Sequence, residues 1–125
     1  MLTTVTPADA STRLEQIARL NDRARLGFDR TARTVITRNC LERLAEADDA
    51  PKEPILLQAQ LMAAFRHCAF SADSPERDFA VIEFLGHKVW LKVDYYDAAM
   101  EFGSQDPADA SQTTRVITIL LPEDY

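Results

Sequence analysis

The residues that most restrict this chain run from Phe79 to Asp94, where the hydrophobic period becomes two. Phe79-Ala-Val-Ile-Glu-Phe-Leu85 and Lys88-Val-Trp-Leu-Lys-Val-Asp94 flank Gly86-His87. A two-residue loop with Gly first suits a type II′ hairpin turn, and it predicts pairing of 84 with 89, 82 with 91 and 80 with 93. One face of the hairpin is then Ala80, Ile82, Phe84, Val89, Leu91 and Val93. None is polar, so this face must cover a core. The other face mixes Phe79, Val81, Glu83, Trp90, Lys92 and Asp94, with Glu83 opposite Trp90 and Lys88 and Lys92 on its diagonals.

The remaining elements must supply that core. Thr6-Pro7-Ala8-Asp9 has the chemistry of a helix start: a hydroxyl cap, Pro at the first helical position and an acid in the first turn. Ala10, Leu14, Ile17, Asn21 and Ala24 follow on one helical face, with Leu20 at its margin and Gly27 as the stop. Arg33 to Arg38 is short and β-branched, which predicts an edge strand, and Cys40 to Ala47 suits a short helix. From Ile55 to Phe70 the pattern is apolar on nearly every side. Such a helix is deeply buried or covered by a partner chain, a second copy among the candidates. Val116 to Leu121 is apolar on both faces and reads as an internal strand.

The expected fold is α+β in a single domain, residues 1–125. An antiparallel sheet of about four strands (33–38, 79–85, 88–94, 115–121) packs against helices near 8–26 and 54–70. A chain of 125 residues is long enough for one core without staples.

Composition narrows the setting. At 46% hydrophobic and 27% charged, the chain has ordinary globular composition. No apolar run approaches the roughly 20 residues that span a bilayer, and Met1 to Pro7 lacks the basic and apolar regions of a secretory signal. Cys40 and Cys68 are far apart and read as reduced, buried thiols. The expected location is therefore cytoplasmic, with no membrane contact. Charge is uneven: residues 1–40 hold seven Arg against four acids, a net of +3, and residues 41–125 hold seven Lys or Arg against sixteen acids, a net of −9. That asymmetry can mark an acidic surface facing a basic protein partner, or simply an N-terminal segment that packs against the acidic part, and it opposes direct binding of nucleic acid.

Chemistry-bearing residues crowd the last third. Asp94, Asp97, Asp106 and Asp109 offer oxygen ligands of the kind Mg²⁺ or Ca²⁺ takes, and a metal-assisted hydrolase built on them is the enzyme alternative. Their spacing lacks the dense alternation of a calcium loop, and capping of a helical turn explains Asp106 and Asp109. His67 and Cys68 adjoin on a helix and point to different sides, so zinc is not expected. Ser104 would need His67 or His87 beside it to act as a nucleophile, and no pattern brings them together. Arg115 invites a two-contact pair with Asp94 or Asp97. Strand alternation sends one of Tyr95 and Tyr96 inward and the other towards Trp90. The candidate binding surface is thus Trp90, Lys92, Asp94, Tyr96, Asp97 and Arg115, with neither cofactor nor catalytic group assigned. An aromatic pair ringed by charges fits a protein-binding hot spot, so a non-enzymatic protein-binding module is the expected function.

Ile17-Ala-Arg-Leu-Asn-Asp22, Val35-Ile-Thr-Arg38, Trp90-Leu-Lys-Val-Asp-Tyr-Tyr-Asp97, Phe102-Gly-Ser-Gln-Asp-Pro-Ala-Asp109 and Thr113 to Leu121 carry a resemblance. In these the chain resembles a bacterial family catalogued as domain of unknown function 3768, over about residues 14 to 125. The resemblance implies a free-standing bacterial cytosolic protein, often in plasmid-rich lineages, and brings no activity or catalytic residue. Together with the −9 segment it motivates a further alternative, an acidic inhibitor of a nucleic-acid-binding bacterial defence complex encoded on mobile DNA.

Overall fold

The hairpin forms where the alternation requires it, with a different turn. In the computed structural model, which describes residues 7–125, β2 (Phe79–Phe84) and β3 (His87–Tyr96) pair antiparallel as Phe84↔His87, Ile82↔Val89 and Ala80↔Leu91. The loop is Leu85-Gly86, not Gly86-His87. Both residues have positive φ, 49° and 81°, the signature of a type I′ turn. Leu85 accepts a left-handed backbone because its side chain packs against the core. The register therefore lies two residues from expectation. With a side-chain period of two, a slip of two exchanges cross-strand partners and leaves both faces intact. Glu83 now faces Lys88, and Trp90 faces Val81.

β4 (Thr114–Leu120) pairs antiparallel with β3, and β1 (Arg33–Ile36) pairs parallel with β4 at the edge, giving the order β1-β4-β3-β2. The α+β class and edge placement hold; the sheet is mixed rather than wholly antiparallel. β1 stops at Ile36 because Thr37 caps the next helix, α2 (Arg38–Ala45). The Thr37 Oγ1 accepts from the Cys40 N–H at 3.2 Å and donates to Asp124 Oδ2 at 2.7 Å.

The helices α1 (Pro7–Arg25), α2 and α3 (Pro54–Arg66) lie on the inner face of the sheet. Leu44, Leu57, Leu61 and Phe65 meet Val89, Leu91, Ile117 and Ile119, all essentially buried. α1 contributes Ile17, Ala18, Asn21 and Ala24, while Leu14 is exposed. The cap assigned to Thr6 and the carboxyl of Asp9 lie outside the described residues. Gly27, at φ 87°, ends α1: its N–H reaches Ala24 C=O at 3.2 Å, and Phe28 N–H reaches Arg23 C=O at 2.8 Å. Those two bonds form a Schellman motif.

α3 is shorter than expected and is not buried all round. Its Leu57, Leu61 and Phe65 side is inside, whereas Ile55 is 75% exposed and Leu56 and Met62 are also open. Arg25 closes its far end, donating to the carbonyls of Phe65 at 2.9 Å and Arg66 at 3.0 Å. A cation at a helix C-terminus also meets the negative end of its dipole. Cys40 is buried and Cys68 partly so, both as free thiols. Among the described residues no helix is long and apolar enough to cross a membrane.

Thr37 serves a helix start and the C-terminal turn together. Thr37→Ala should cost roughly 1–2 kcal/mol in urea denaturation, the range measured for lost helix caps. A loss within experimental error would remove it as a joint between α2 and the chain end.

Candidate functional site

Strand parity divides the six candidate residues. Trp90, Lys92, Asp94 and Tyr96 alternate onto the outer face of β3, away from the helices. Trp90 is flanked by two rings at edge-on angles: Phe79, with centroids 5.3 Å apart, and Tyr125, at 5.9 Å. Beneath them Leu120, paired with Trp90, is buried. Phe79 and Val81 on β2 and Val35 on β1 leave 38%, 44% and 50% of their surface exposed. The outer face is thus an apolar strip with an aromatic cluster at one end. Lys92 Nζ bonds Asp94 Oδ2 at 3.0 Å along the same strand, so this pair is satisfied within the chain. Tyr96 is outward but does not join Trp90: six residues of strand separate them, about 20 Å. Asp97 follows the strand, and its Oδ1 accepts the Glu101 N–H at 2.9 Å.

Arg115 belongs to the other side. Its β3 partner is Tyr95, whereas Asp94 is opposite Val116, so alternation places the guanidinium beneath the sheet and away from Asp94. The expected pair with Asp94 or Asp97 is not formed. Arg115 is instead 1% exposed; its Nε donates to Asn21 Oδ1 at 2.7 Å, and its other end donates to the Pro107 carbonyl. The guanidinium also lies 5.2 Å from the Tyr95 ring centre. Burial lowers its pKa, opposed by Tyr95, Asp29 and Glu76.

Asn21 gathers this network. Its Nδ2 donates to Glu76 C=O at 2.9 Å and to Tyr95 Oη at 2.8 Å, and Tyr95 donates onward to Glu76 Oε2 at 2.8 Å. Burial raises the Tyr95 phenol, so it stays a donor at neutral pH. Next to it Asp22 accepts from Arg77 Nε and Nη2, the latter at 2.8 Å, and from Arg25 at 3.0 Å. Asn21, Tyr95, Glu76 and Arg77 were not among the candidate residues. The signal for the network was a lone amide in the apolar stripe of α1, a position that a buried partner must satisfy.

The loop acids are dispersed. Asp106 meets Arg13 at 2.7 Å and accepts the Ala108 N–H; Asp109 caps the 3-10 turn Ala110–Gln112 through the Ser111 N–H at 2.9 Å. Both are therefore turn caps, as expected. Among the described residues no group of three or more His, Cys, Asp or Glu side chains could hold a metal ion. Ser104 shares a 2.7 Å bond with Thr113 Oγ1, and its N–H holds Tyr95 C=O. His87 begins β3, eight residues and about 27 Å of strand from Tyr95. An open cleft of about 370 Å³ beside this loop is lined by Asp97, Phe102, Gly103 and Gln112, and holds none of the other five candidates.

Two outcomes follow from the inner networks. Asn21→Ala should cost about 3 kcal/mol in urea denaturation, because it strands a buried charged donor; a cost under 1 kcal/mol would show that water replaces the amide. For Asp22, burial alone would raise the carboxyl, but Arg77 and Arg25 together hold it below its ordinary value. A depressed folded-state pKa contributes stability that is present above the unfolded value near 4 and lost as pH falls through the folded one. The stability gap between native protein and Asp22→Asn should therefore narrow below about pH 4. A gap that stays constant well below pH 4, while the protein is still folded, would contradict the assignment.

No curated protein and no solved structure matches the chain. The family match covers residues 46–124, so the motifs Ile17–Asp22 and Val35–Arg38 lie outside it, while the less distinctive Pro51–Phe70 segment lies inside. With α3, the hairpin, the 97–113 loop and β4 all within the matched residues, the chain belongs to the family described as protein of unknown function (DUF3768).

Proposed function

We propose that the chain binds another protein through the outer face of its sheet, centred on Trp90. The observation that carries this reading is the partly buried indole held between Phe79 and Tyr125 on the outer face, with exposed Val81 and Val35 continuing the apolar strip. A tryptophan braced by neighbouring rings loses little conformational freedom on contact, and residues of this type dominate interface energies. Lys92, Asp94, Glu83 and Lys88 border the strip and give it the polar rim of a contact surface. The contact surface is accordingly redrawn: Trp90, Lys92, Asp94 and Tyr96 remain, Phe79 and Val81 join, and Arg115 becomes the support beneath Tyr95.

The net charge of −9 over residues 41–125 favours a partner with a basic surface. Such steering weakens as salt shortens the screening length from about 30 Å at 0.01 M to about 8 Å at 0.15 M. Binding rather than catalysis is supported by the way Asp94, Asp97, Asp106 and Asp109 are each already held by a cation or a backbone N–H.

Capture from native lysate, repeated with Trp90→Ala and with Lys92→Glu, tests the surface. Trp90→Ala should weaken retention of the captured partner at least tenfold, as loss of a hot-spot aromatic does. Lys92→Glu should alter its salt dependence. Retention unchanged in both variants would place the contact elsewhere.

A further inference from the structure

The two edges of the sheet are guarded unequally. β1 is four residues long and begins with Arg33. β2 is six residues, Phe79-Ala-Val-Ile-Glu-Phe84, without Pro, Gly or Lys. An unpaired and largely apolar edge of this kind is a template for another strand.

The backbone groups it offers can be identified. Val93 N–H donates to Asp78 C=O at 2.8 Å, and Phe84↔His87 closes the two-residue turn. In an antiparallel ladder the bonded pairs alternate, so Asp78, Ala80, Ile82 and Phe84 point their backbone groups at β3. Phe79, Val81 and Glu83 point theirs outward. Phe79 N–H is already held by Ser74 Oγ at 3.3 Å. Among the described residues nothing takes the N–H and C=O of Val81 and Glu83 or the C=O of Phe79.

We infer that β2 pairs antiparallel with β2 of a second copy about a two-fold axis through Val81, joining the two sheets into one. Val81 then exchanges both its bonds with Val81 of the second copy. Glu83 N–H donates to Phe79 C=O across the axis, and reciprocally, so Ser74 keeps its own bond. The central outer row becomes Trp90, Val81, Val81, Trp90, and the flanking row Lys88, Glu83, Phe79, Lys92. No like charges meet. On the inner face Ala80 lies against Ile82 of the second copy, small against large.

Other axes fit worse. Through Ile82, the two Glu83 carboxylates become diagonal neighbours about 7–8 Å apart. Through Glu83 they are directly opposed. Through Phe79 or Ala80, Glu83 falls opposite Pro75 or Arg77, before β2 begins, and its outward bonds find no strand partner. A foreign strand would satisfy the same backbone groups but has no reason to reproduce these self-complementary rows. The inference rests on the backbone edge and stands apart from partner binding at Trp90.

Light scattering at micromolar concentration should report a dimer for the native chain, and Trp90→Ala should leave it dimeric, so the two readings fail separately. In a Cys68→Ser background, Val81→Cys should form an intermolecular disulfide on mild oxidation, because Cα atoms of a bonded antiparallel pair lie about 5.5 Å apart. Glu83→Cys should not, since its two copies are four residues out of step. Val81→Lys, whose side chain points to solvent in the monomer, should fold normally by circular dichroism and dissociate at least tenfold more readily. A monomeric native chain, a native dimer indifferent to Val81→Lys, or cross-linking through Glu83→Cys in place of Val81→Cys would each overturn the inference.

Discussion

Arg115 places a full positive charge beneath the sheet, and among the described residues no carboxylate touches it. Desolvating a guanidinium is costly, so everything around it must contribute acceptors. The amide oxygen of Asn21, the Pro107 carbonyl and the face of Tyr95 share that role. These come from α1, from the long loop and from β3, segments distant in sequence that only the finished fold assembles. Asn21 and Tyr95 are in turn bonded to Glu76 in the loop before β2. Such a network tolerates little displacement. Turning α1 by one residue would put Leu20 or Asp22 where the amide belongs, so the polar cluster sets the rotation of the helix more strictly than its apolar stripe does.

Asp22 extends the same logic to the rim. It holds Arg77, whose backbone is left-handed at φ 55°, and Arg25, which reaches back to the end of α3. Two adjacent residues of α1 therefore organise two networks, one centred on the buried Asn21–Arg115 bond and one half-open. Between them they tie the helix layer to the 71–78 turn and to the strand that carries the outer surface.

What could be read in the chain followed the reach of its local periodicities. The two faces of the hairpin were legible because alternation over Phe79–Asp94 survives any even slip; the turn was not, because Gly86 suits either of two turn types and only packing of Leu85 selects one. The internal character of β4 followed from its apolar run. Its parity relative to β3 did not, since residues 97–113 carry no alternation across the gap, and that unknown parity is what allowed Arg115 to be grouped with Asp94. The parallel entry of β1 depends on the path of α2 and α3 under the sheet, which no local pattern encodes. In α1 the stripe was legible from Ile17 onward, whereas Leu14, on the same stripe, is exposed.

The arrangement around Trp90 has a practical side. It is the single tryptophan of the chain, and it sits in the outer aromatic cluster rather than in the core between helices and sheet. Its ultraviolet emission is therefore a built-in optical gauge of the outer surface. A change in colour or quenching records what happens there, while events confined to the opposite layer pass largely unseen unless the strand itself moves. The molecule carries its own dye, placed on the side of the sheet away from the helices.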